Sequence, residues 1–216
     1  MKTRRAFISV TVSVVAGMGL LMTPGFQLLR TAYGKVKKRI LPADTKLWSL
    51  IQKNPSQLDA RNLPETPLSS FQTMGETEHN EDLQRWRLKI AGRNGSERSF
   101  SYQEMLDLPS IERTVLLICP GFFAQQGRWK GIDMAKLLDN QSVPDKASKV
   151  IFSGPTGTYK SANSFPIDQV RSNQVFLAYQ VNGNSLPEKH GFPLRVVAED
   201  AYGSQWVKYV DSVKVT

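Results

Sequence analysis

The chain is poor in the residues that most metal and disulfide chemistry requires. Among its 216 residues are one cysteine, Cys119, and two histidines, His79 and His190. A single cysteine excludes an intrachain disulfide and any CxxC-type zinc or iron–sulfur site. Two histidines exclude a three-histidine catalytic metal centre. Redox or metal chemistry must therefore rely on few protein ligands, which favours a bound organic cofactor. No internal repeat or low-complexity tract is visible, and Gly, Pro and charged residues occur at ordinary globular levels.

Acidic residues are missing from the first forty positions, which instead carry Lys2, Arg4, Arg5, Arg30, Lys35, Lys37, Lys38 and Arg39. The net charge of +9 thus belongs to the N-terminus, because positions 41–216 hold twenty basic against nineteen acidic residues. A balanced body argues against nucleic-acid binding. Arg4-Arg5 precede an apolar run from Phe7 to Met22, which is short for a membrane span and suits a signal h-region. The pair with its following Phe-Ile resembles a twin-arginine export signal, which carries folded proteins. Residues 1–30 are expected to be a signal peptide or N-terminal membrane anchor, and 31–59 a basic and helical connecting segment. The cluster Lys35–Arg39 would face anionic headgroups if the anchor is kept.

In the body, Asp44 is expected to cap a short helix carrying Leu47, Trp48, Leu50 and Ile51. Residues 54–82 read as a long loop, a length that is usually functional or wraps a core. Trp86, Leu88 and Ile90 alternate with Arg87 and Lys89 as a half-buried strand, and Ser101 with Glu104 makes a capping box. Val115–Ile118 is a continuously apolar strand delivering Cys119 at its end. A short helix over 133–138 follows. Strands are expected at 150–152, 175–181, 194–198 and 206–215, with a tight turn at Asn182-Gly183-Asn184. Short helices among strands without βαβ spacing give an α+β class with mixed β-sheets.

Three places carry chemistry. Gly154-Pro155-Thr156-Gly157-Thr158-Tyr159-Lys160-Ser161 imitates a P-loop but puts Tyr159 where the last glycine must be, so nucleotide triphosphate binding is disfavoured. Cys119, turned outward by Pro120-Gly121, is open to three readings: a small core hydrophobe, a nucleophile, or a soft-metal ligand. His190-Gly191, Arg195 and Lys208 place three candidate cations around glycine-containing turns, either as a phosphate site or as a solvated basic rim.

The run Leu177–Gly183 into His190-Gly191-Phe192-Pro193-Leu194-Arg195, then Tyr202-Gly203 and Val207-Lys208-Tyr209-Val210, resembles the molybdopterin-binding domain of the sulfite oxidase family. Trp86-Arg87-Leu88, Leu106–Ser110, Leu117-Ile118-Cys119 and Gly127–Gly131 fit it in the same order, so the resemblance covers residues 60–216. It implies a molybdenum–pterin cofactor ligated by Cys119. It also implies a phosphate grip by His190, Arg195 and Lys208, with Gly203, Ser204 and Gln205 beside them, an active-site tyrosine at Tyr159, and His79 approaching the cofactor. The implied activity is two-electron oxygen-atom transfer on a small substrate such as sulfite or a sulfoxide, outside the cytoplasm. Electrons would pass to or from a separate cytochrome or haem-bearing membrane subunit. Sulfite oxidases carry arginines soon after the cysteine, whereas Pro120–Gln126 offers none, so a binding module that kept the fold without turnover is the alternative. A cysteine hydrolase is a third reading.

Overall fold

The computed structural model describes residues 37–92, 96–140, 147–155 and 161–216. Its compact body runs from Lys38 to Thr216. In chain order the elements are β1 (Arg39–Ile40), β2 (Leu58–Asp59), β3 (Leu88–Ala91), β4 (Glu97–Phe100), α1 (Tyr102–Leu106), β5 (Ser110–Cys119), β6 (Phe123–Ile132) and α2 (Met134–Asn140). They continue with β7 (Lys149–Ser153), β8 (Ala162–Pro166), α3 (Ile167–Arg171), β9 (Val175–Val181), β10 (Asn184–Ser185), β11 (Arg195–Ala198) and β12 (Ser212–Val215).

Two five-stranded sheets result, beside a two-stranded parallel pair of β1 and β2, in keeping with an α+β class. In one, the order β10-β9-β6-β5 is antiparallel throughout, and β11 shares the edge of β9 with β10. In the other, the order is β4-β3-β12-β7-β8, with β3 and β12 parallel and the rest antiparallel.

The apolar run that ends β5 is covered on both faces, as its composition demands. Val115, Leu117 and Cys119 point into the main core, while Leu116 and Ile118 face Leu41, Leu50 and Leu63. Those three leucines belong to the N-terminal segment, which lies over this end of the sheet as a lid. The capping box is formed: Glu104 donates its N–H to the Ser101 hydroxyl, and the Glu104 carboxylate accepts from the Ser101 N–H. Asn182 and Gly183 both take positive φ, the geometry of a tight hairpin turn.

Several expectations need correction. The segment after Asp44 is a 3₁₀ turn, Leu47–Leu50, with Lys46 at its N-cap and no side-chain cap. Trp48 is 73% exposed rather than packed. The expected strand 206–215 is confined to Ser212–Val215; Tyr209 takes φ +57, which breaks any extended run. Strand β6 begins four residues after Cys119, in a stretch for which no strand was expected, and it hides Gln125 and Gln126 at 2% and 0% exposure. Residues 162–166, for which no element was expected, are a strand.

Candidate active site

Cys119 ends β5 and the chain turns at once. The Phe122 N–H donates to the Cys119 carbonyl at 3.0 Å, and Gly121 takes φ +79. The thiol is 9% exposed and opens into a cavity of about 480 Å³. Gly203 lies against it: a Cβ there would stand 2.6 Å from Cys119 Sγ and 2.7 Å from Leu117 Cδ1. Only a residue without a side chain lets the 203–205 turn approach the sulfur so closely. Burial pushes the Cys119 thiol up, against a smaller downward pull from Arg195 and Lys208. The free thiol is therefore protonated at neutral pH, and a positive centre beside it is needed to make it a thiolate.

Arg195 and Lys208 line the same cavity. Arg195, at the start of β11, is 4% exposed and lies over two indole rings, with its Cζ 5.1 Å from the Trp129 centroid and 5.4 Å from that of Trp206. Its Nη1 donates to the His190 carbonyl at 2.9 Å, and its Nε is buried without a partner. No carboxylate pairs with it among the described residues. Burial pushes Arg195 down to about 10. A buried guanidinium with unmet donors is a costly arrangement that an anion would relieve.

Lys208 donates its ammonium to the carbonyls of Glu76 and Lys189, the latter at 3.1 Å, and to Thr73 Oγ1 at 3.3 Å. Burial and the neighbouring Arg195 push it down to about 8, with Glu76 and Cys119 pulling the other way. His190 is 1% exposed, edge-on to Phe71, and both its ring nitrogens lack partners. Burial first, then Arg195, Lys189 and Lys208, push it down to about 4. It is thus a neutral imidazole near pH 7, with both ring nitrogens left for hydrogen bonding. Gly191 (φ +105) brings the turn after it against Arg195 and Lys208, leaving 3.1 Å from its would-be Cβ to the Cβ of each.

A second wall is irregular chain, Gln72–Glu76, which lines the cavity together with Tyr209. The Tyr209 hydroxyl donates to the Glu76 carbonyl at 3.0 Å, and its ring lies 4.5 Å from that of His79. His79 pairs through Nε2 with Glu81 at 2.7 Å.

Of the residues expected at a site, Cys119, Arg195, Gly203, Ser204 and Lys208 line one cavity. His190 lies beneath it through Arg195. His79 backs Tyr209 instead of lining the space, and Gln205 is outside the lining as well, its backbone carbonyl accepting from Asn163 Nδ2 at 3.1 Å. Tyr159 lies outside the described residues. Sequence reasoning missed the Gln72–Glu76 wall and the tryptophan pair under Arg195. It passed over Tyr209 as one member of a strand. Nothing local marks these residues, because their roles arise from long-range contacts.

Residues 74–216 match the family described as oxidoreductase molybdopterin binding domain. The chain belongs to that family. It is similar to the mitochondrial sulfite oxidase of Homo sapiens, with 30% identity over 164 residues that cover 63% of this chain and 30% of that protein. It is similar to the oxidoreductase YuiH of Bacillus subtilis, with 25% identity over 143 residues covering 66% of this chain and 71% of YuiH. In structure it resembles the sulfane dehydrogenase SoxCD of Paracoccus pantotrophus, with a TM-score of 0.63 and 22% identity over 83% of this chain and 50% of that one. At that identity the likeness speaks to the fold alone. The chain thus spans under a third of the length of the sulfite oxidases it matches.

The residues present fit a molybdenum–pterin cofactor. A soft sulfur donor sits at the cavity floor with room made for it by Gly203. Lining the same space are a buried arginine whose Nε lacks a partner and a lysine ammonium without a carboxylate among the described residues, both suited to a phosphate.

Proposed function

We propose that this chain is a molybdenum-dependent enzyme performing two-electron oxygen-atom transfer on a small substrate outside the cytoplasm, after twin-arginine export. The observation that carries the reading is the opening of the lone thiol into the same cavity as two cations that lack carboxylate partners among the described residues. Cys119 would ligate the metal, while Arg195 and Lys208 would hold the phosphate, with Gly203 and Ser204 shaping the cavity beside them. When bound, the cofactor supplies the two-electron redox change that the transfer needs.

The protein's own part is to bind, orient and exclude water. Burial holds Arg195 rigid on its indole platform, so the grip is organised before the ligand arrives. Phe122 and Met74 line the cavity and are exposed at 66% and 45%, which makes the entrance apolar. Tyr159, which lies outside the described residues, is proposed as the active-site hydroxyl. His79 would act through Tyr209, and His190 through the backbone carbonyl that it presents to Arg195. Electrons would pass to a separate haem protein or cytochrome. The apolar run at the N-terminus would serve as the export signal or anchor.

The test is metal analysis of protein made in a cofactor-competent host. About one molybdenum per chain is expected in the wild type, and Cys119→Ser is expected to lose activity because a hard hydroxyl replaces a soft donor. A wild-type protein without molybdenum, or a serine variant that keeps full activity, would overturn the reading.

A further inference from the structure

Two amides stand side by side in β6, Gln125 and Gln126, both almost fully buried. Neighbouring strand residues point to opposite faces, so the pair serves two different clients. Gln125 turns its whole amide onto one residue of the cavity wall. The Gln72 N–H donates to Gln125 Oε1 at 2.8 Å, and Gln125 Nε2 donates to the Gln72 carbonyl at 3.1 Å. The side chain thus imitates the paired hydrogen bonds of a neighbouring β-strand. Gln126 instead donates Nε2 to the Ala60 carbonyl at 2.9 Å, and its backbone joins Thr66. It holds the N-terminal part of the loop, away from the cavity.

Gln72 opens the Gln72–Glu76 wall, and Glu76 closes it. At the closing end Lys208 and Tyr209 both donate to the Glu76 carbonyl, while Thr73 Oγ1 donates to the Lys189 carbonyl at 3.2 Å. Between the two ends Met74 and Gly75 (φ +74) project with nothing within 4 Å of a would-be Gly75 Cβ. This wall is a strap pinned at Gln72, Thr73 and Glu76, with Met74 and Gly75 between the last two. We infer that Gln125 is a positioning residue of the cofactor cavity, holding the Gln72 end of the strap against the Cys119 wall so that a bound pterin is retained. The inference rests on the proposed cofactor site, but the pinning itself stands on the hydrogen bonds alone. Its physical basis is that a backbone N–H and C=O stripped of a buried partner lose a satisfied pair that no neighbouring strand replaces.

The experiment uses the full chain from a cofactor-competent host, as wild type, Gln125→Met and Gln126→Met. Three readouts are taken: amide exchange over residues 71–77, molybdenum per chain after gel filtration, and Tm. Methionine matches glutamine in length and removes only the hydrogen bonding. Gln125→Met is expected to speed exchange at Gln72 by about tenfold or more and to shed molybdenum during filtration. Gln126→Met is expected to lower Tm by a similar amount, loosen residues 60–66, and keep both the metal and the strap protection. If Gln125→Met does not fold, Gln125→Glu takes its place; it keeps the acceptor for the Gln72 N–H and loses the donor to the carbonyl. Unchanged strap exchange in the Gln125 variants would overturn the inference, as would equal metal loss in Gln126→Met. A wild type without molybdenum removes the proposed function instead, and strap exchange then still decides whether Gln125 pins the wall.

Discussion

The cavity has two walls made in opposite ways. One is built from sheet: Cys119 ends β5, Arg195 begins β11, and Gly203 packs on the sulfur with a clearance that admits no Cβ. The other is a strap of irregular chain, Gln72–Glu76, with no ladder of its own and fastened by side chains from β6 and from residues 208 and 209. The first wall draws its rigidity from the core, so its effects are concentrated in single atoms. The second draws it from several separate hydrogen bonds, so each bond contributes little and the loss of one is partly shared by the rest.

The largest effect should come from filling the clearance in the sheet-built wall. Gly203→Ala places a Cβ 2.6 Å from Cys119 Sγ and 2.7 Å from Leu117 Cδ1. Both are side-chain tips that can move, so overpacking should cost about 1–3 kcal/mol of stability and leave the protein folded. The displaced sulfur is the greater loss, and molybdenum per chain should fall on the order of tenfold, a factor equivalent to about 1.4 kcal/mol of misplacement. Metal analysis beside thermal unfolding checks this. A variant that unfolds less readily than wild type yet holds full metal would erase the contrast between the walls.

A second effect lies where the walls meet, at Lys208. Its folded pKa is pushed down to about 8 from the unfolded 10.5, with burial as the first cause. Between pH 8 and 10.5 the unfolded chain therefore holds the extra proton, and stability rises with pH across that window. Anion binding runs the other way, because it uses the ammonium. Inorganic phosphate, dianionic above pH 8, should bind the cofactor-free chain fully below that pH and about tenfold more weakly per unit above it. The Tm increment given by phosphate, measured from pH 7 to 10, follows this directly. A flat increment would mean that Arg195 alone carries the grip. Lys208→Met should flatten it.

How much of this could be read from the sequence follows the same division. The sheet-built wall was legible because its signals are local. Four apolar residues before Cys119 report a strand covered on both faces, and Asn182-Gly183 reports a hairpin turn. Cys119, Arg195, Gly203, Ser204 and Lys208 sit together in the cavity, whereas His190 meets it through its backbone carbonyl on Arg195. Strand β6 was illegible. Gln125, Gln126, Gly127 and Arg128 show no alternation, because loops bond the two amides here, while Phe123, Trp129 and Ile132 of the same strand pack in the core. The strap was illegible for the same reason: its partners are 53 and more residues away. Trp48 misled because a helical spacing of apolar residues was read where only one 3₁₀ turn forms. Periodicity speaks to elements that pack by one face, and it is silent about segments held by side-chain amides.

The smallest effect should belong to the middle of the strap, and it sharpens the comparison most. Thr73 Oγ1 donates to the Lys189 carbonyl at 3.2 Å and accepts from Lys208 at 3.3 Å. Thr73→Val keeps the shape and removes both bonds. Lys208 still reaches the Glu76 and Lys189 carbonyls, and the Lys189 carbonyl still has Lys208, so no group is left orphaned. The cost should be about 0.5–1 kcal/mol, a severalfold rise in exchange over residues 72–76 with metal content unchanged. A wall held by many weak bonds tolerates such a loss. If Thr73→Val instead released molybdenum as fully as Gly203→Ala, the strap would be as sharply tuned as the sheet, and its many fastenings would have to act as one cooperative unit.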